Sequence, residues 1–129
     1  MKKEINRVIG ESTAGATKLI IDYFKPDVWV IENPYQSHIW KFLINHHGLD
    51  GILNSTYYSN YDQSYSLKPT KFFSNITLNL LRNSSIRGNS KYYTYGNYNQ
   101  RSNIPTKLIL DIVNSSTNFI NSQKEQICH

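Results

Sequence analysis

Apolar residues recur along the chain in blocks that predict alternating helices and strands. A first helix is predicted to begin at a cap, Ser12 or Thr13, and to end at Lys25-Pro26, because the residue before proline avoids the helical conformation. Its predicted buried positions are Leu19, Ile20, Tyr23 and Phe24. Residues 28–31 are continuously apolar and rich in β-branched residues, which predicts a strand buried on both faces, as in a parallel sheet covered by helices.

The later blocks extend this alternation. We predict a helix over residues 37–47, a strand over 52–58, further strands at 71–73 and 76–81, and irregular segments at 59–67 and 82–100. A last helix is predicted from Pro105 to about Ile120, with Asn103 as its cap. The predicted apolar face of that helix is Leu108, Ile109, Ile112 and Val113. The pattern indicates an α/β fold in a single domain, residues 1–129.

Charge and tyrosine are unevenly distributed. The net charge is +5, and no acidic residue occurs between Gln63 and Leu110, a stretch that contains seven lysines and arginines. Eight of the ten tyrosines lie between Tyr57 and Tyr98. Such a stretch is suited to binding nucleic acid, because its cations can replace condensed counterions and its tyrosines can stack on bases. The alternative is a solvated basic face with tyrosines packed in a sheet, since tyrosine favours strands.

Several function classes are disfavoured by what the chain lacks. The single cysteine, Cys128, excludes an intrachain disulfide, and the pair His46-His47 is interpreted as polar surface, so we predict no metal site. No apolar run is long enough to span a membrane, and the charged start is not followed by a signal-peptide core. We therefore expect a cytoplasmic protein without membrane contact.

Three segments carry a family resemblance. Residues 24–34, FKPDVWVIENP, look like the strand and turn of cytosine-C5 DNA methyltransferases of the phage type. Residues 68–75, KPTKFFSN, are similar to the lysine-proline-threonine and asparagine segment of those enzymes. Residues 101–105, RSNIP, are similar to the family's final motif, although Arg101 stands where the family usually has glycine. The order agrees, and the chain resembles the C-terminal part of the family.

The resemblance implies a fold and a set of roles. It implies part of a Rossmann-like methyltransferase fold, with a mixed sheet flanked by helices. Glu32 matches the catalytic carboxyl group that hydrogen-bonds a flipped-out cytosine while charge builds on the ring. Ser102 and Asn103 match positions near the cofactor, S-adenosylmethionine. The predicted nucleic-acid-binding residues are Asn33 and Pro34, which shape the turn, with Arg82, Arg87, Lys91 and Arg101.

Parts of the family's machinery are absent from the sequence. Nothing matches the glycine-containing cofactor loop, and the cysteine nucleophile that should precede the strand is missing. Cys128 follows isoleucine near the end of the chain and does not match that nucleophile. We therefore expect a truncated or split methyltransferase that binds DNA. Its cofactor would bind only if a partner chain, or a second copy, completes the site.

Two other interpretations stay open. One is a non-catalytic protein of a phage or mobile element that binds nucleic acid or a host defence protein through its basic, tyrosine-rich surface. The other takes Asn33-Pro34-Tyr35 as a form of the Asn-Pro-Pro-Tyr motif of amino-group methyltransferases, in which the aromatic ring stacks on the flipped base. In that case Tyr35, and not Glu32, would be the essential side chain.

Overall fold

The computed structural model describes residues 1–127, which form five helices around a small sheet. The helices are α1 (Lys2–Phe24), α2 (Ile39–Lys41, continued by a π-helical turn Phe42–His46), α3 (Lys91–Tyr95), α4 (Tyr98–Ser102) and α5 (Thr106–Ile127). The strands are β1 (Val30–Pro34), β2 (Ile52–Tyr57) and β3 (Pro69–Ser74), with a 3-10 turn, Tyr58–Asn60, after β2. The chain is mixed α and β, as the pattern predicts.

The sheet is antiparallel, with the order β1-β3-β2. Both outer strands run opposite to β3, so β1 and β2 run in the same direction and are connected through α2. The prediction of a parallel strand buried on both faces was wrong for residues 28–31. In the described part of the chain β1 is an edge strand that pairs with β3 alone, and residues Val30 to Asn33 are half-buried.

Each face of the sheet carries its own apolar cluster. Phe72 and Phe73 are neighbours in β3, so their side chains point to opposite faces, and each is 1% exposed. Phe72 belongs to a cluster with Leu108 of α5 and with the tyrosines of the segment after β2. Phe73 belongs to a second cluster with Ala14 of α1 and the side chains of α2. The sheet therefore lies between α5 on one side and α1 with α2 on the other.

Helix α1 differs from the predicted helix in its start and in its buried face. It begins at Lys2, ahead of the predicted caps, and Thr13 donates its hydroxyl to Ile9 O inside the helix. The four positions predicted to be buried are 58% to 81% exposed, whereas Ala14 is fully buried and Ile21 packs beside it. Small residues at the contact let α1 lie close to α2, and the larger apolar side chains face away.

Residues 76–81 form no strand, although the alternation predicts one. Side chains of β2 form hydrogen bonds with their backbone. Asn54 Oδ1 accepts from Leu78 N at 2.9 Å, and Thr56 donates to Leu81 O at 2.6 Å. Tyr61 and Ser115 bind two further amides of the segment. Because buried backbone groups need partners of some kind, these side chains stand in for a neighbouring strand.

The C-terminal part contains more helix than predicted. The segment 82–100 was predicted as a loop but includes α3 and the start of α4. Asn103 ends α4, with its N–H bonded to Asn99 O, instead of capping α5. Helix α5 reaches Ile127, beyond the predicted end. Of its predicted apolar face, Leu108 is buried and Ile112 packs against the Phe72 cluster, but Ile109 and Val113 are exposed. Within residues 1–127, no helix has both the length and the apolarity for crossing a membrane.

The packing of α5 gives a matched pair of substitutions. Leu108 is 0% exposed in the Phe72 cluster, and Leu110 on the same helix is 54% exposed. Leu108→Ala should lower the free energy of unfolding by about 2–5 kcal/mol because it leaves a cavity. Leu110→Ala should change it by less than about 0.5 kcal/mol. Urea denaturation measures both, and equal losses would contradict this orientation of α5.

Candidate functional site

Glu32 lies in the middle of β1, on the sheet face that α5 covers. It is paired in register with Phe72 of β3, so its carboxylate points towards the Phe72 cluster and not directly into solvent. The hydroxyl of Tyr58 donates to Glu32 Oε1 at 3.3 Å. Tyr58 is fully buried at the start of the 3-10 turn that follows β2.

The electrostatics of this contact keep Tyr58 in its donor form. Burial raises the pKa of the Tyr58 hydroxyl well above its ordinary value, and the negative charge and hydrogen bond of Glu32 raise it further. The hydroxyl therefore stays protonated and donates to Glu32 Oε1. A carboxylate oxygen can also accept from an amino group such as cytosine N4.

Lys68 connects Glu32 to the C-terminal part of the chain. It precedes β3 in the left-handed conformation, φ 41°, and its ammonium lies 4.7 Å from the centroid of the Tyr58 ring and 5.8 Å from that of Tyr65. The same ammonium donates to Arg101 O. Burial lowers the pKa of Lys68, and the nearby charge of Glu32 acts in the opposite sense. A half-buried cation is thus held by two ring faces and a carbonyl.

The three segments that carry the family resemblance meet at this lysine. Glu32 belongs to the first, Lys68 to the second and Arg101 to the third, and Tyr65 adds a hydrogen bond from its hydroxyl to Asn103 O at 2.6 Å. The sequence pattern contains these segments but predicts no individual role for Lys68, Tyr58 or Tyr65. The available signals were the place of Lys68 in the second segment and the density of tyrosines around it.

Asn33 and Pro34 are the last two residues of β1, paired with Lys71 and Thr70 of β3, and do not form the turn that the resemblance implies. Asn33 Oδ1 accepts from the Ser37 hydroxyl at 3.4 Å, and Pro34 O accepts from the indole N–H of Trp40 at 3.1 Å. Tyr35, the key residue of the amino-group interpretation, is 39% exposed, with Lys71 Nζ 4.0 Å from its ring centroid. One ring face is therefore covered by a cation, which leaves the other face for stacking.

Ser102 and Asn103 are exposed at the end of α4. The Ser102 hydroxyl donates to Tyr98 O, and the backbone carbonyl of Asn103 is taken by Tyr65. Neither residue lines the cleft of about 630 Å³ between residues 59–63 and the start of α5. With Arg101 in place of a glycine and no cofactor loop in the sequence, these residues do not by themselves form a site for S-adenosylmethionine.

The four predicted phosphate-binding cations are all exposed. They are Arg82, Arg87, Lys91 and Arg101. Among residues 1–127, none of them forms an ion pair with an acidic side chain. The backbone that carries Arg82 and Arg87 is held to the body by Asn60, which accepts from Asn83 N at 2.6 Å and donates to Asn83 O at 3.0 Å. These charges are therefore presented to solvent on an ordered segment.

The histidines among residues 1–127 form no hydrogen bond or ion pair with Glu32, Tyr58 or Lys68. His46 Nδ1 lies 3.9 Å from Glu11 Oε1 at the surface. Within the described residues, no three His, Cys, Asp or Glu side chains come close enough together to hold a metal ion. Cys128 lies outside the described residues.

Neither known protein families, nor curated proteins, nor solved structures include a match to this chain.

The buried hydroxyl of Tyr58 predicts a dependence of stability on alkaline pH. Its raised pKa contributes stability that is complete below the ordinary tyrosine value of 10.0 and is lost as pH rises through the higher value of the folded state. Tyr58→Phe removes this ionisation, so the loss of stability above pH 10.0 should become shallower, with a cost of about 0.5–1.5 kcal/mol at neutral pH from the lost hydrogen bond. Tyr61, whose pKa burial raises to about 12, accounts for part of the remaining slope.

Urea denaturation at a series of pH values measures the effect. Tyr23→Phe is the control, because that tyrosine is 81% exposed, and it should reproduce the wild-type profile. An unchanged alkaline slope in Tyr58→Phe would contradict the burial of this hydroxyl against Glu32.

Proposed function

We propose that the chain is the base-binding, C-terminal part of a DNA methyltransferase of the cytosine-C5 type, and that it needs a partner chain for methyl transfer. The observation that carries the proposal is a chain of contacts that joins the three resembling segments. Lys68 of the second segment donates to Arg101 O of the third, and its ammonium lies over the ring of Tyr58, whose hydroxyl donates to Glu32 of the first. Such a connection is expected if the segments build one site.

Glu32 suits the recognition of cytosine. The Watson–Crick edge of cytosine offers an amino group beside N3, whereas thymine presents a carbonyl oxygen at the corresponding position. A carboxyl group pairs with the first and is repelled by the second. A base can reach this carboxyl group only after it leaves the base stack. Unstacking costs the least free energy where the base is already unpaired.

The sheet supports the need for a partner. In the described chain β1 uses one edge only, and β1 and β2 run in the same direction around a central antiparallel strand. We propose that a partner continues the sheet at the free edge of β1, which would make it the end of a larger, Rossmann-like mixed sheet. Helix α1 carries exposed apolar residues that a partner could cover, among them Leu19, Ile20 and Phe24. The partner would also supply the cofactor loop and the nucleophile.

Non-catalytic nucleic-acid binding is the second candidate. It is favoured by the four exposed cations of residues 82–101, which have no acidic partners in the described chain. It makes no use of Glu32, so the two candidates differ in what a Glu32 substitution does.

Glu32→Gln provides the test of base recognition. The probe is a short duplex with one mismatched cytosine, compared with the same duplex carrying thymine at that position. The wild-type chain should bind the cytosine duplex about tenfold more tightly, in line with one good base contact, and Glu32→Gln should remove the preference. Fluorescence anisotropy of the labelled duplexes measures both affinities.

Asp27→Asn is the matched control, since it removes the same charge from an exposed side chain just ahead of β1. It should keep the cytosine preference. Loss of the preference in the control, or a wild-type chain that does not distinguish the two duplexes, would rule out the role of Glu32 and leave the non-catalytic candidate.

The exposed cations give a separate prediction. Replacing Arg82 and Arg87 by alanine should weaken duplex binding and reduce the slope of log K against log salt by about 1.8, because each phosphate contact contributes about 0.9. The double variant Lys2→Ala, Lys3→Ala removes two exposed charges from the far end of α1 and should leave the slope unchanged. Equal slopes for the two double variants would show that Arg82 and Arg87 do not contact phosphates.

A further inference from the structure

Three tyrosines near the end of the basic segment have no packing role in the described chain. Tyr93, Tyr95 and Tyr98 are 74%, 84% and 75% exposed, and neither α3 nor α4 contains a buried residue. Tyrosine rings left in water forgo the burial that usually stabilises them. Packing within this chain therefore does not explain why three such rings occur within six positions.

The backbone that carries the three tyrosines is firmly held. The ring of Tyr92 meets Tyr65 edge-on at 5.0 Å, and Tyr92 N donates to Ser64 O at 2.8 Å. Just before it, Gly88 takes φ +71° where an added Cβ would lie 2.2 Å from Tyr65 O, so the chain approaches as closely as only glycine allows. Tyr92 thus holds α3 against Tyr65, and the side chains of Tyr93 and Tyr95 remain exposed to solvent.

The other end of the segment is held as well. Helix α4 begins with a capping box in which Asn97 and Gln100 bond each other's backbone amides. In its last turn, the carbonyl of Arg101 accepts from Lys68. The rings are therefore displayed on a surface ordered at both ends, and binding a ligand there does not require the backbone to fold first.

The charge of this surface selects the kind of ligand. Lys91 and Arg101 bracket the three tyrosines and are exposed, and no acidic residue occurs anywhere from Gln63 to Leu110. A polyanion is attracted by this field, and aromatic rings beside cations bind unpaired bases by stacking. Bases in a duplex have their faces covered by their neighbours, so a ring surface is used by single strands.

We propose that the exposed rings of Tyr93, Tyr95 and Tyr98 each stack on unpaired bases of single-stranded DNA that passes along this segment, with Lys91 and Arg101 contacting the phosphates. This goes beyond the recognition of one cytosine by Glu32, because stacking tolerates any base. It rests on the proposed function only in taking DNA as the nucleic acid.

The test compares a labelled oligothymidylate with an abasic oligomer of the same length, which keeps the phosphates and lacks the bases. The wild-type chain should bind the thymidylate at least about tenfold more tightly. The triple variant Tyr93→Ala, Tyr95→Ala, Tyr98→Ala should lose that difference and keep its affinity for the abasic oligomer. The triple phenylalanine variant keeps the rings and should bind like the wild type.

Tyr23→Ala is the matched control, because Tyr23 is 81% exposed on α1 and lies outside the basic segment. It should leave both affinities unchanged. Equal wild-type affinity for the two oligomers would overturn the proposal, as would a triple alanine variant that binds oligothymidylate normally.

The outcome is separable from that of the Glu32 experiment. The probe contains no cytosine, so its binding does not depend on the cytosine preference that the Glu32 experiment measures. Since the three side chains are exposed, urea denaturation should show wild-type stability for the triple variant. A destabilised triple variant, with the phenylalanine variant also defective in binding, would overturn the stacking role.

Discussion

Strand β3 carries the constraint on which the rest of this structure depends, because its consecutive residues Phe72 and Phe73 must point to opposite faces of the sheet. Each ring is 1% exposed and lies in a separate apolar cluster. As the central strand, β3 is also the only one that pairs with both of the others. The helices on the two faces are thereby tied to one backbone, and the position of every site residue follows from the register of β3.

That register sets the surroundings of Glu32. Because Glu32 pairs with Phe72, it shares the face of the tyrosine-rich cluster and receives a hydrogen bond from Tyr58. A shift of β1 by one residue would turn Glu32 to the opposite face, towards α1 and α2. The carboxylate, the half-buried Lys68 and the segment 101–103 then would not meet. The register of the sheet therefore determines the geometry of the site.

The tyrosines divide into two groups with different physical roles. Tyr58, Tyr61 and Tyr65 are at most 8% exposed, and each hydroxyl bonds a group distant in sequence: Glu32, Leu81 N or Asn103 O. They fill the core and satisfy buried polar atoms with one side chain. Tyr93, Tyr95 and Tyr98 bury almost nothing. Composition alone does not separate the groups, since both belong to the same tyrosine-rich stretch.

The sequence by itself determined the features that local physics controls. The second helix, the strand at 52–58, the strand around Phe72 and the helix after Pro105 were all predicted at nearly their observed places, because apolar periodicity and proline act over a few residues. Only the tertiary structure decided the direction and edge position of β1, the side-chain bonding of residues 76–81 and the exposure of the large apolar residues of α1. Each depends on which distant element supplies the partner: β3 for β1, Asn54 and Thr56 for 76–81, and the close approach at Ala14 for α1. Hydrogen bonds and close packing between distant residues leave no periodic trace in the sequence, whereas the burial of a helix or strand face does.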